Sequence, residues 1–94
     1  IGSNLALRLE EAGAEVLVLD SSRSGCGANE ANLAGSSLRI LRADLSEPDD
    51  YAAELKNIDV VFNLAGEISH IHSMQFPERD LQINTVSQLR FLQA

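Results

Sequence analysis

The sequence predicts an α/β fold, a partial doubly wound parallel sheet with covering helices, on three observations. Segments of helical spacing alternate with short apolar runs in the order helix, strand, strand, helix, strand, helix, the pattern of parallel strands joined by crossover helices. Two of the runs, residues 16–19 and 60–62, are uninterrupted and too short for a helix, as expected of strands covered on both faces. The amphipathic segments also carry helix punctuation: Gly13 after the first, Pro48 and Pro77 near the starts of later ones. At 94 residues there is room for one small domain, taken as residues 1–94.

In the first segment Ile1, Leu5, Leu9 and Ala12 form an apolar stripe, Arg8, Glu10 and Glu11 form a wet face, and Gly13 occupies the left-handed position that ends a helix. Residues 16–19 follow as a strand, bounded by Asp20, Ser21 and Ser22. Residues 21–37 are rich in Ser, Gly, Asn and Ala and read as a loop with a short helical turn at 29–33. Leu38, Ile40 and Leu41 make a second strand, and the intrusion of Arg39 and Arg42 places it at a sheet edge. Ser46 is the expected N-cap of a helix with Pro48, Asp49 and Asp50 in its first turn, Tyr51, Ala52 and Leu55 on its core face, and an end near Asn57. Residues 59–66 form a third, buried strand and 67–75 a loop. Pro77 opens a last helix with Leu81, Leu89 and Leu92 as apolar positions.

The charge balance excludes several classes of function. Fourteen acidic against seven basic side chains give a net charge of −7 with no Lys/Arg cluster, so neither nucleic acid nor an anionic membrane is an expected partner. No apolar stretch approaches the length needed to span a bilayer, and no leader pattern opens the chain, which is read as soluble and cytoplasmic. The single Cys26 can form no intramolecular disulfide, in keeping with a reducing compartment. His70 and His72 lack the further ligands a metal needs, so no metal site is expected.

The ends of the strands carry the chemistry. Gly2, at a helix start, suits the third glycine of a Rossmann dinucleotide fingerprint, where close helix packing is needed and free backbone N–H groups meet a pyrophosphate. Asp20 stands 18 residues later, at the end of the first strand, near the spacing at which an acid accepts the ribose hydroxyls. A carboxylate there repels a 2′-phosphate and favours NAD over NADP; Arg23 is the contrary signal, able to pair such a phosphate. Asp44 could accept from an adenine amino group with Leu45 lying on the ring, and Leu64, Ala65 and Gly66 are small enough at their end for close backbone approach to a ligand. An ordinary turn role competes for each aspartate.

Residues 1–5 (Ile-Gly-Ser-Asn-Leu), the strand ending in Asp20, the Ala43-Asp44-Leu45 turn, residues 61–66 (Val-Phe-Asn-Leu-Ala-Gly) and residues 81–84 (Leu-Gln-Ile-Asn) together resemble the extended short-chain dehydrogenases/reductases, the NAD-dependent epimerase/dehydratase family. The resemblance implies a Rossmann-like doubly wound sheet, a nicotinamide dinucleotide cofactor and nucleotide-sugar substrates transformed through a transient keto intermediate. It further implies that Gly2, Asp20, Asp44, Leu45, Leu64, Ala65 and Gly66 contact the cofactor. Asn84 would hold the site together, and Ser69, His70 and Ser73 would face the sugar or its phosphates.

The family's catalytic Ser/Thr and Tyr-x-x-x-Lys have no counterpart, since Tyr51 is followed four residues on by Leu55, and Tyr51 is read as core packing. The expected unit is thus an internal fragment lacking its first strand and C-terminal part, marginal in isolation because that strand would lie between the 16–19 and 60–64 strands. A homodimer of the whole protein is expected. The alternative reading is a non-catalytic dinucleotide-sensing module.

Overall fold

The computed structural model describes residues 1–22 and 30–94, so Arg23 and Cys26 lie outside the described residues. It divides into two units, Ile1–Arg42 and Ala43–Ala94.

The first unit opens with helix α1, Gly2–Glu11. Gly13 takes the left-handed conformation at φ +93°, and the Gly13 and Ala14 amides bond back to the Glu10 and Leu9 carbonyls at 2.9 and 3.0 Å. This is a Schellman ending, which satisfies two carbonyls the helix leaves orphaned. Ala6 is buried, with Leu5 and Leu9 half-buried beside it, whereas Ile1 is 96% exposed because it precedes the helix and does not join its apolar stripe. Strand β1 is Leu17–Asp20, a 3₁₀ turn follows at Glu30–Leu33, and strand β2 is Arg39–Arg42. The strands pair in parallel, Leu17 opposite Arg39 and Asp20 opposite Arg42. Parallel pairing is the signature of a crossover connection, as the alternation of elements demanded. Residues 16–19 are half-buried, not covered on both faces as the apolar run implied, since among the described residues the sheet has two strands and each is an edge.

In the second unit the helix expected from Ser46 to Asn57 is broken into a 3₁₀ turn, Pro48–Asp50, and helix α2, Ala52–Leu55. Ser46 is no cap: its amide and hydroxyl both donate to Asp44 Oδ1, at 2.9 and 2.7 Å, so the side chain is spent on the preceding turn. Tyr51 is fully buried, as core packing requires. Its hydroxyl donates to the Leu45 carbonyl at 3.0 Å and its ring centroid lies 5.9 Å from that of Phe91. Burial, and secondarily the negative charge of Asp44, push its pKa above the usual phenol value.

Residues 59–66 are not the expected third strand. They form no ladder, and Val60, Val61, Phe62 and Leu64 are all more than half exposed. Apolar composition marks a strand only where neighbouring chain supplies hydrogen-bonding partners; here side chains do so instead. The expected 67–75 loop contains helix α3, His70–Gln75, whose N-cap Ser69 accepts from the His72 amide at 3.2 Å. Six polar-rich residues are too few to show an apolar period.

The last helix is continuous through α4 (Pro77–Leu81), a π turn (Gln82–Val86) and α5 (Ser87–Gln93), with Pro77 in its first turn. Leu81, Leu89 and Leu92 are exposed, and the covered side is instead Ser87 with Ile83, Val86 and Phe91. Across the π turn a count at α-helical pitch slips by about one residue, or about 100°, so a stripe counted straight through it does not follow one side of the helix.

Candidate functional site

In the first unit Gly2 is the exposed first residue of α1. The earliest amide bonded along the helix is that of Leu5, to the Ile1 carbonyl at 3.1 Å, so the Gly2, Ser3 and Asn4 amides have no acceptor within the helix. The first turn holds no acidic side chain, and the positive end of the helix dipole is left available to an anion. Asp20 ends β1 with its carboxylate exposed, one oxygen accepting from the Ser22 amide at 2.6 Å while Ser22 sits at φ +49°. The aspartate therefore builds the turn. A carboxylate has acceptor capacity on both oxygens, so this bond leaves room for hydroxyl donors.

In the second unit the half-buried Asp44 accepts twice from Ser46, and its carbonyl accepts from the Glu47 amide at 2.9 Å. Leu45, also half-buried, is held by the Tyr51 hydroxyl, and Arg90 of α5 donates to the Ser46 carbonyl at 2.9 Å. The Asp44 turn is thus fixed by the buried Tyr51 and by the exposed Arg90.

Leu64, Ala65 and Gly66 are exposed, and their stretch is tied to the last helix by two side-chain amides. Asn84 Oδ1 accepts from the Glu67 amide at 2.7 Å, and Asn84 Nδ2 lies 3.2 Å from the Glu67 carbonyl and 2.7 Å from Asp80 Oδ1. Gln88 Oε1 accepts from Asn63 Nδ2 at 2.6 Å, while Gln88 Nε2 donates to the Ala65 carbonyl at 2.9 Å. Gly66 passes so close that a Cβ there would stand 3.0 Å from Asn84 Oδ1, which would have to give by a few tenths of an ångström. The π turn aligns these groups. At α-helical pitch, side chains at 80, 84 and 88 would fan over about 80°; one extra residue in the turn closes the fan to about 20°. Ser87 seals the wide turn, its amide and its hydroxyl (2.9 Å) both donating to the Gln82 carbonyl. Asp80 and Gln88 escaped the sequence reading, although their spacing of four on either side of Asn84 is a polar stripe that could have marked them.

Of the residues assigned to the substrate side, Ser69 caps α3, and the Ser73 hydroxyl lies 2.9 Å from both the Ser69 carbonyl and Asp80 Oδ1. His70 is exposed. Among the described residues no group of three or more His, Cys, Asp or Glu could hold a metal ion, and no helix is long and apolar enough to cross a membrane. Two surface hollows, one lined by Pro48, Arg90, Gln93 and Ala94 and the other by residues 75–79, contain none of the residues expected to bind a ligand.

A short parallel sheet with helices, an open helix N-terminus and a strand-terminal aspartate define a partial Rossmann-like α/β protein. Comparison with known proteins makes the assignment specific. The sequence profile of the NAD dependent epimerase/dehydratase family matches residues 1–94, and the chain belongs to that family. Membership implies a nicotinamide dinucleotide cofactor. The chain is also similar to the solved structure of an epimerase from the thermophilic methanogen Methanothermobacter thermautotrophicus. The two are 30% identical with a TM-score of 0.86, over 98% of this chain and 27% of that one. The chain thus spans about a quarter of the length of the structure it matches.

Proposed function

We propose that this chain is the adenosine-side grip of an NAD-dependent epimerase/dehydratase that acts on a nucleotide sugar by transient hydride transfer, both units belonging to one cofactor-binding domain. One observation carries the reading: an exposed carboxylate, Asp20, ends the strand that follows a helix whose N-terminus is open and free of acids. Helix start, helix, left-handed glycine, strand and terminal acid is the order in which a mononucleotide-binding unit presents its groups. Each unit by itself offers groups of the kind the cofactor needs: in the first, the α1 amides for a pyrophosphate and Asp20 for ribose hydroxyls; in the second, Asp44 and Leu45 for an adenine and residues 64–66 for backbone contact. Asp20 favours NAD, because a 2′-phosphate would meet a like charge.

NAD, when bound, supplies the hydride acceptor. This chain's part is to bind and orient it; no residue here is assigned to proton transfer. Exposed His70, together with Ser69 and Ser73, is our candidate for contact with the sugar or its phosphates, and Asn84 holds the neighbouring segment. The absence of a basic cluster supports a small-molecule partner in place of nucleic acid. The test is titration of the intact protein with NADH and NADPH, followed by nicotinamide fluorescence, for the wild type and Asp20→Asn. Tighter binding of NADH, with the preference reduced about tenfold or more in the variant, is the expected result. Equal preference in the two proteins would sink the assignment of Asp20.

A further inference from the structure

We propose that Gln88 is a positioning residue for the dinucleotide: its single amide latches residues 63–66 at two points and so sets the backbone path beneath the cofactor. The inference deepens the reading of Leu64, Ala65 and Gly66 as a cofactor segment, and rests on it.

The segment needs such a device. It lacks a ladder, and its apolar side chains Val60, Val61, Phe62 and Leu64 are exposed, so neither sheet pairing nor burial holds its course. Besides one local bond, from the Ala65 amide to Asn63 Oδ1 at 3.4 Å, what holds it is the last helix. Gln88 accepts from the Asn63 side chain at 2.6 Å and donates to the Ala65 carbonyl at 2.9 Å, so that the donor and acceptor ends of one planar group engage residues two apart. Those two residues flank Leu64. Four residues earlier on the helix, Asn84 engages both the amide and the carbonyl of Glu67. The π turn brings these two amides into one column, and the Gln88 amide nitrogen also lies 3.4 Å from the Ile83 carbonyl, which fixes the side chain against its own helix. A side chain held at three points is pre-organised, and little rotamer freedom remains to be lost when a ligand settles on the segment.

The experiment compares NADH affinity of the intact protein with that of Gln88→Leu, Gln88→Glu, Asn63→Ala and the Asn63→Ala/Gln88→Leu double variant. Gln93→Leu, an exposed position on the same helix, serves as control. Loss of the latch predicts about tenfold weaker binding for Gln88→Leu. Gln88→Glu keeps the acceptor but not the donor and should fall between, Gln93→Leu should match wild type, and the double variant should bind no more weakly than Gln88→Leu alone. The side-chain amide protons of Asn63, followed by NMR, should lose their protection from exchange in Gln88→Leu. This readout reports the latch directly and does not move if the substitution merely loosens the helix elsewhere. Unchanged NADH affinity in Gln88→Leu, or multiplicative losses in the double variant, overturns the positioning role alone. A wild-type protein that binds no NADH overturns the cofactor reading and this role with it.

Discussion

Removing the hydroxyl of Tyr51 separates two contributions that meet at one buried side chain. In Tyr51→Phe the ring keeps its place 5.9 Å from Phe91, but the Leu45 carbonyl loses the donor now 3.0 Å away. A neutral hydrogen bond of this kind is worth about 1 kcal/mol, which lowers the melting temperature of a chain this size by about 4–8 °C. Tyr51→Ala also leaves a cavity and should cost about 3–5 kcal/mol, against a total stability on the order of 5–14 kcal/mol for a chain of this length. The pH dependence adds a sign. Because burial and then Asp44 raise the phenol pKa in the folded state, the folded protein holds that proton more tightly than the unfolded chain. The resulting stability is fully present below the unfolded value of about 10 and is lost as pH rises through the folded value. Urea unfolding of wild type and Tyr51→Phe at neutral pH and in steps above pH 9 reads both effects. The variant should be less stable at neutral pH, and the gap should change only on the alkaline side. Equal stability at neutral pH, or the same alkaline loss in both proteins, refutes the reasoning.

Other outcomes follow from single positions. Gly13→Ala should cost about 1 kcal/mol in urea unfolding, since φ +93° is costly for an L-residue while no atom lies within 4 Å of the added Cβ; a neutral result would mean that the turn relaxes. Gly66→Ala should push Asn84 Oδ1 away from the Glu67 amide, speeding amide exchange at Glu67 and costing about 1 kcal/mol, and unaltered exchange would contradict the close approach. Ser69→Ala should remove the cap of α3, with a loss of about 1 kcal/mol and faster exchange of the His72 amide. Ser69→Asp, able to accept the same bond, should restore both.

The first helix, the two paired strands and the start of the last helix were legible in the sequence because local rules produce them. Apolar spacing defined α1, Gly13 ended it, an apolar run between turn residues defined β1, and Pro77 began the last helix. Asp20 and Asp44 were legible as strand-terminal acids, and both proved to accept from the amide two residues on, a bond that depends on nothing distant. What only the tertiary structure decided are the features whose partners lie far along the chain. Residues 59–66 carry a strand's composition, yet their conformation depends on who supplies hydrogen bonds, and Gln88, 25 residues away from Asn63, is one of the suppliers. The π turn is likewise invisible to a count at fixed pitch, and it turns the residues after it by about 100° relative to those before it. Periodicity and turn chemistry are properties of a few neighbouring residues, whereas the pairing of a polar group is settled only when the whole chain has folded around it.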